Sequence, residues 1–289
     1  MMEIIALPKN LTEITKLKEL GIKTLLFESD RFSRTAVMPL EEQNLTRAIK
    51  ITKKAGMKAY VRLNTIVGES DLADLECFLA RLASEDPDGI VFYDLTIGVI
   101  LESLCQGHKG IYQPGTFNTH TDSLIFLKNL GISKATISKE ISFQKIQSII
   151  DNNPGFELSL IGHGFIDCFY SKRPLLSLFA EYKGFQYNQD AIYHISEKSR
   201  PGELYPISED RAGTHIHRPK KLHSFAQLAY LKNHIQALFV ERYRIADCEY
   251  YEAIKAYHSG DYEAFLQEYG NEYDNSILNQ ETRLRKALL

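Results

Sequence analysis

Seven polar residues close short apolar runs along this chain: Glu28, Asn64, Asp94, Asn118, Glu140, His163 and Glu241. Any one of them is accounted for by a hydrogen bond to an adjoining loop, the usual fate of a polar group at a strand exit. As a set they form a ring of carboxylates, amides and one imidazole that packing does not require. The acids among them have the charge to hold a cation, a cationic ligand or an arginine. No HExxH and no other close His–carboxylate pair is present, so spacing gives little support for zinc.

A second group of residues lies between His163 and His223. It contains five of the nine histidines, His163, His194, His215, His217 and His223, with Lys172, Arg173, Arg200, Arg211, Arg218, Lys220 and Lys221. Phe169, Tyr170, Phe185, Tyr187, Tyr193 and Tyr205 are interleaved with them. Cationic groups beside stacking surfaces are what RNA contact needs. Glu181, Asp190, Glu197, Glu203, Glu209 and Asp210 nearly balance the charge, so a solvated loop explains the same composition. His215 and His217 alternate on one strand face, either as a metal pair or as plain surface polarity. Cys168 follows His163 by five residues, and a Cys–His pair is a hydrolase arrangement. No GxSxG occurs.

These residues need elements to position them. Glycine followed by an apolar residue recurs where a helical pattern yields to a strand pattern, at Gly21, Gly56, Gly89, Gly110, Gly131 and Gly155. Glycine suits the left-handed position past a helix end, because it has no Cβ to clash there. The apolar runs after these glycines are short and continuous, as in strands covered on both faces. Between them, Asn10 with Glu13 resembles a capping box, and Ser70, Thr121 and Ser142 precede helical patterns. With an opening strand at 4–7 and a late one at 237–240, eight βα units result, which implies a parallel sheet. The first βα turn, LPKNLTE, carries no GxGxxG, so a dinucleotide-binding open sheet has no support. The expected fold is therefore α/β, a TIM-like eight-stranded parallel (β/α) barrel. Residues 1–289 form one domain in this reading. An insertion at 164–233, between strands seven and eight, stands over the barrel mouth, and a helical tail spans 249–289. Barrel enzymes work at the carboxyl ends of their strands, where the seven polar residues fall.

Composition narrows the classes. A net charge of −3 excludes a wholly basic nucleic-acid protein, and 44% hydrophobic with 25% charged residues is ordinary globular usage. No run approaches the roughly 18 apolar residues of a membrane span. The opening MMEIIALPKN lacks a basic segment before a long apolar core, so the expectation is a soluble, cytoplasmic protein without a membrane partner. Cys77, Cys105, Cys168 and Cys248 are dispersed with no CxxC, which reads as small buried apolar residues rather than a disulfide framework.

Longer segments carry a resemblance. TFNTHTDSLIFLKNLGISKATISKEIS, from Thr116, has an Asn after a strand and a Glu closing the next one. ELSLIGHGFIDCFYSKRPLLSLF fits an HG…YSxRxLLS pattern, and ISEKSRPGELYPISEDRAGTHI a second, specific one. VRLNTIV and IVFYDL add two strands. Over most of its length the chain resembles the collagenase-like peptidase family, numbered thirty-two among those of unknown catalytic type. The resemblance implies a TIM-like barrel and one of two activities. One is collagenase-like endopeptidase activity without an agreed nucleophile. The other is oxygen-independent hydroxylation of tRNA wobble uridine, ribosomal RNA or ubiquinone rings, with prephenate-linked chemistry and a four-iron, four-sulfur cluster held by four cysteines. By position, Asn64, Asp94, Asn118, Glu140, His163, Tyr170, Ser171, Arg173, Glu197, Arg200 and Glu241 correspond to patterned residues. Glu140, His163, Arg173 and Glu241 are expected to be catalytic. Glu28, Asn64, Asp94, Asn118, Tyr170, Ser171, Lys172, Glu197 and Arg200 are expected to bind substrate.

The cysteines depart from the pattern. Cluster-bearing relatives place a cysteine where YSKRPLLS has Pro174, and here only Cys168 is near. Four thiolates must reach one site to hold a cluster, so none is expected in this chain. The chain resembles the shorter, cluster-free branch, whose implied partners are a longer paralogue and tRNA. Hydroxylation of tRNA is the favoured function. An endopeptidase using Cys168 and His163, or a non-catalytic scaffold, is the alternative.

Overall fold

The apolar runs pair in parallel. The computed structural model describes residues 2–188 and 191–280. Seven strands alternate with helices: β1 (Glu3–Ala6), β2 (Thr24–Ser29), β3 (Lys58–Leu63), β4 (Gly89–Phe92), β5 (Gly110–Tyr112), β6 (Lys134–Ile137) and β7 (Glu157–Gly164). The chain then builds a separate antiparallel sheet from β8 (Asp167–Ser171), β9 (Tyr193–Glu197), β10 (Arg200–Asp210) and β11 (Gly213–His217), and returns to the barrel as β12 (Ala237–Val240). β12 pairs with both β7 and β1, and β1 pairs with β2 through Ile5↔Thr24 and Ala6↔Leu25, so the eight-stranded parallel sheet closes on itself. Helices α1 (Glu13–Glu19), α2 (Glu42–Lys54), α3 (Leu72–Ser84), α4 (Leu95–Ser103), α5 (Thr121–Asn129) and α6 (Phe143–Asp151) come after strands one to six in turn. The architecture is a TIM-like α/β barrel.

Period-two alternation divides each barrel strand between two cores. Ile5, Leu26, Val91, Ile111, Ile161 and Phe239 fill the lumen. Their neighbours Leu25, Val61, Leu160 and Leu238 face outward onto Leu17, Ile49, Leu79 and other helix residues. The strands read as continuously apolar because both faces are covered.

The helix exits obey the expected rule only in part. Gly21, Gly56, Gly131 and Gly155 have φ of +86°, +74°, +79° and +98°. Gly89 and Gly110 instead begin strands, and the left-handed positions before them belong to Asp86 (φ 54°) and Cys105 (φ 56°). Gly89 makes room for a ring, because a Cβ there would stand 2.8 Å from Tyr60. The cap expected near Thr121 is one residue earlier, where the His120 ring accepts from the Ser123 amide at 3.3 Å. The cysteines are corrected as well. All four are free and exposed rather than buried, because their positions fall on the solvent side of helices, a turn and an edge strand.

The inserted sheet has the order β9-β10-β11-β8, and α7 (Leu175–Lys183) packs against β10 and β11. From Leu222 the chain rejoins the outside of the barrel, where Leu222 pairs with Gly164 and α8 (Leu228–His234) buries Leu228 and Leu231. α9 (Asp247–Ser259) and α10 (Glu263–Tyr269) cover the barrel's back, with Tyr250 and Tyr257 fully buried. Asp190 and residues 281–289 of the anticipated tail lie outside the described residues. Among the described residues no helix is long and apolar enough to cross a membrane.

One irregularity decides which side chains reach the mouth. The pairing of β12 with β7 runs Phe239↔Ile161 and then Val240↔His163, so Gly162 bulges out of register. A bulge reverses the facing of the residues beyond it. Ile161 points into the lumen, and His163 points outward. One position after His163, Gly164 has φ +100°, and a Cβ would stand 2.8 Å from Glu241 Cβ and 2.9 Å from its carbonyl oxygen. Gly164→Ala is expected to lower stability by about 2–3 kcal/mol through strain and displacement of Glu241. Urea denaturation checks this, with an unchanged midpoint as the contrary result.

Candidate functional site at the barrel mouth

Alternation along β2 and β3 puts Glu28 on the lumen side above Leu26, and Arg62 above Tyr60. Glu241, one residue beyond β12, stands above Phe239 in the same way. Arg62 therefore meets Glu241 across the barrel top in a two-toothed pair, with Nη2 2.5 Å from Oε1 and Nη1 2.9 Å from Oε2. Arg62 Nη1 is also 3.5 Å from Glu28 Oε1, and Glu28 Oε2 accepts from the Val37 amide at 2.7 Å. All three side chains are buried. Burial raises Glu28 to about 7, against the pull of Arg62 and helped by the nearby charge of Glu241.

A second charged layer lies above the first. The Arg34 amide donates to Asn64 Oδ1 at 2.9 Å, and its Nε donates to the Asn64 carbonyl at 2.9 Å. This fixes the Arg34 guanidinium 2.8 Å from Asp167 Oδ2, on the first residue of β8. Lys139, two residues beyond β6, contacts the other oxygen of Asp167. Burial, and then the positive charge of Arg34, push Lys139 down to about 7. Arg34 covers the ring of Tyr170 at 4.5 Å. Tyr170 stacks in turn on His215 at 5.1 Å, and His215 Nε2 is 2.9 Å from Asp210 Oδ1. His217 stacks on Tyr243 at 5.1 Å, and burial holds it well below its ordinary pKa. Between these groups is a cavity of about 50 Å³, lined by Arg34, Arg62, Lys139, Tyr93, His217 and Tyr243 among others. Tyr170 also walls a groove of about 230 Å³ with Arg31, Lys172 and Arg211. Two fixed guanidiniums, an amine of lowered pKa and aromatic walls can bind a small planar or anionic molecule and move a proton at the amine.

The sequence-derived residues divide in this frame. Glu28, Glu241, Asn64 and Tyr170 come together at the mouth, with Asn64 acting through Arg34. Asp94 caps α4 by accepting from Thr96 at 3.0 Å and also holds the Val67 amide, so it serves loop structure. Asn118 is buried with φ +63° and donates to the Thr136 carbonyl. Glu140 is half-buried, its Oε1 has no partner among the described residues, and burial raises its pKa.

Several expectations are corrected. His163 is not at the mouth, because the Gly162 bulge turns it into the outer core. There it lies 3.0 Å from Tyr273 OH among the rings of Phe225, Tyr257 and Phe265, and burial lowers it to about 3. Cys168 on β8 is an exposed residue whose thiol turns to the Ile216 carbonyl, and partial desolvation of that sulfur raises its pKa. The two therefore make no nucleophile–base pair. Arg173 is exposed beside α7, and Lys172 is tied to Asp71 at 2.7 Å. The Ser171 hydroxyl receives the Arg173 amide at 3.2 Å. Glu197 and Arg200 pair loosely with each other at 3.9 Å on the exposed β9–β10 hairpin. His215 and His217 are buried and stacked, not surface polarity, and no group of three metal-ligating side chains occurs among the described residues. Lys221 is buried against Glu249 and Glu272, so it is no RNA contact.

Arg34, Arg62, Lys139, Asp167 and Asp210 are absent from the sequence-derived set. A signal existed for one of them: two-residue alternation from Tyr60 puts Arg62 on the lumen face, as it puts Glu28 on the face of Leu26.

The family profile described as Peptidase family U32 matches residues 9–287. The "tRNA hydroxylation protein P2" of Bacillus subtilis is 26% identical over 75% of this chain and 71% of its own length. The "tRNA hydroxylation protein P" of Escherichia coli is 22% identical over 69% of this chain and 54% of its own. That of Helicobacter pylori is 28% identical over 64% and 46%, so this chain spans about half of both of these longer relatives. Among solved structures, phosphoribosylanthranilate isomerase from Thermotoga maritima aligns over 90% of this chain with a TM-score of 0.48 and 9% identity.

Glu28 gives the site a pH signature. Its proton is held to about pH 7 when folded, but only to its ordinary 4.5 when unfolded. The stability this contributes is complete below the unfolded value and is lost as pH rises through the folded one. Glu28→Gln is expected to reduce the decline between those limits by about 3 kcal/mol, read from urea midpoints across pH. Superimposable profiles would mean that Glu28 titrates alike in the folded and unfolded chain.

Proposed function

The chain belongs to peptidase family U32, and from that premise we propose that it serves in the hydroxylation of tRNA at the wobble uridine, without oxygen, as a subunit beside a longer paralogue. The observation that carries this reading is the convergence of Arg34, Arg62 and Lys139 with Tyr93 and Tyr243 on one cavity at the catalytic end of the barrel. Cations suit an anionic ligand, and aromatic faces suit a base or another planar ring. The names of the three relatives support the substrate class.

A cluster of iron and sulfur does not fit this chain's own donors. Cys77 is on α3, Cys105 comes after α4, Cys168 is on β8 and Cys248 is on α9, so the four thiols project from separate elements. Redox chemistry would then come from the paralogue. This chain's part is to bind, orient and move a proton at the mouth: Arg34 and Arg62 fix a charged group, Tyr93 and Tyr243 flank a ring, and Lys139 exchanges a proton near neutral pH.

Mass spectrometry of tRNA nucleosides from a deletion strain is the test. The 5-oxyuridine species are expected to disappear and to return with the intact gene. Complementation with Arg34→Ala, at matched soluble protein level, is expected to restore less than about a tenth, the worth of a buried charged hydrogen bond. An unchanged nucleoside profile in the deletion strain would overturn the assignment.

A further inference from the structure

Among the described residues, five other than glycine have positive φ. Asp86 and Cys105 follow the ends of α3 and α4, where a left-handed residue is common. Thr35, Asn118 and Arg244 lie instead in loops after β2, β5 and β12, at the mouth end of the barrel. Thr35, at φ +50°, is the one with a branched Cβ, the side chain that left-handed backbone tolerates least. Such strain persists only where neighbours enforce it, and it gathers at functional sites.

The enforcing group comes from the insertion. Asp210, the last residue of β10, accepts the Thr35 amide on Oδ2 at 2.8 Å. Its other oxygen accepts from the Ala212 amide at 2.8 Å and from His215 Nε2 at 2.9 Å, so the carboxylate is held from both sides. His215 is itself buried and stacked on Tyr170. Arg211, the next residue, stands 3.6 Å from Asp30 at the start of the loop that carries Thr35. The Thr35 hydroxyl donates to the Arg34 carbonyl at 2.8 Å.

The contacts on either side of Thr35 show what the strain accomplishes. Before it, Ser33 Oγ donates to the Arg62 carbonyl at 2.5 Å, and Arg34 is gripped by Asn64 and Asp167. After it, the Val37 amide donates to Glu28 at 2.7 Å. Both charged layers of the mouth thus take a group from one short stretch, and the left-handed turn at Thr35 sets one against the other. An ordinary φ at Thr35 would re-aim Arg34 relative to Val37. We infer that Asp210 is a positioning residue for the mouth, acting through Thr35 to hold Arg34. Asn64 and Asp167 fix the Arg34 side chain, and Asp210 fixes the backbone that carries it. A role in hydroxylation rests on the tRNA reading, whereas the placement of Arg34 does not.

Arg34 is the reporter. Phenylglyoxal, which modifies guanidinium groups, is applied to the purified full chain, and labelling of Arg34 is followed by peptide mapping. Wild type, Asp210→Ala, Thr35→Gly and the double variant are compared, each checked for folding by thermal unfolding. Arg34 is only 5% exposed, so slow labelling is expected in the wild type. Asp210→Ala is expected to label about tenfold faster, as loss of one charge-assisted hydrogen bond implies. Glycine takes a left-handed φ without steric cost. Thr35→Gly is therefore expected to remove most of that increase in the double variant, and recovery of the 5-oxyuridine species in complemented deletion strains is expected to follow the same order. An unchanged Arg34 rate in Asp210→Ala would overturn the inference. So would equal acceleration with and without Thr35→Gly, which would mean that Asp210 serves only the β10–β11 turn. If Asp210→Ala does not fold, Asp210→Asn replaces it, since an amide in that place keeps an acceptor for one side only. An unchanged nucleoside profile in the deletion strain would overturn the tRNA reading, and the labelling rates would still decide the role of Asp210.

Discussion

The ion pair between Arg62 and Glu241 is the constraint around which the mouth is built. A buried pair gains only what its geometry allows over the cost of desolvating two charges, and removing one partner typically costs about 3–5 kcal/mol. The closed barrel meets that condition. β3 and β12 are separated by β1 and β2 around the ring, and only closure through β1–β2 brings Arg62 and Glu241 to the two-toothed contact. Beneath them the lumen is apolar, from Ile5 through Phe239. The low dielectric that makes the pair strict about geometry also shifts its neighbours, raising Glu28 and lowering Lys139.

The inserted sheet completes this site. Asp167 begins β8, Tyr170 ends near its other edge, and Asp210, His215 and His217 come from β10 and β11. Each touches a barrel residue or a group that does: Asp167 meets Arg34 and Lys139, Tyr170 lies under Arg34, Asp210 accepts from Thr35 at 2.8 Å, and His217 stacks on Tyr243. The histidines that looked like metal ligands or surface polarity are stacking partners, held neutral in the case of His217 by burial. The barrel alone would present Arg34 and Lys139 as unpaired cations. The insertion supplies the carboxylate that fixes both.

The barrel's back is organised by a different polar group. His163 Nε2 donates to Tyr273 OH at 3.0 Å, Tyr273 donates its one hydroxyl proton to Glu249 at 2.6 Å, and Glu249 holds the buried Lys221. This chain of contacts fastens the helical segment after β12 to β7. It explains why a motif containing His163 can be structurally demanding without touching the mouth.

Much of the fold was legible in the sequence because it rests on local rules. Helix entries, apolar runs and their eightfold recurrence each depend on a few adjacent residues, and a chain that alternates strands with helices has few ways to bury both faces of its sheet. Glu28 and Glu241 were legible as polar residues at strand exits. The remainder depended on contacts that no local pattern records. Alternation predicts an inward His163, but one bulged glycine reversed it, and the bulge is set by how β7 meets β12. Lys139 looks like any surface lysine beside Glu140 until closure of the barrel and folding of the insertion bury it against Asp167. Sequence therefore determined which elements form and in what order. Tertiary structure decided which charges face one another in a dry cavity, because desolvation and pairing are properties of residues brought together from distant parts of the chain.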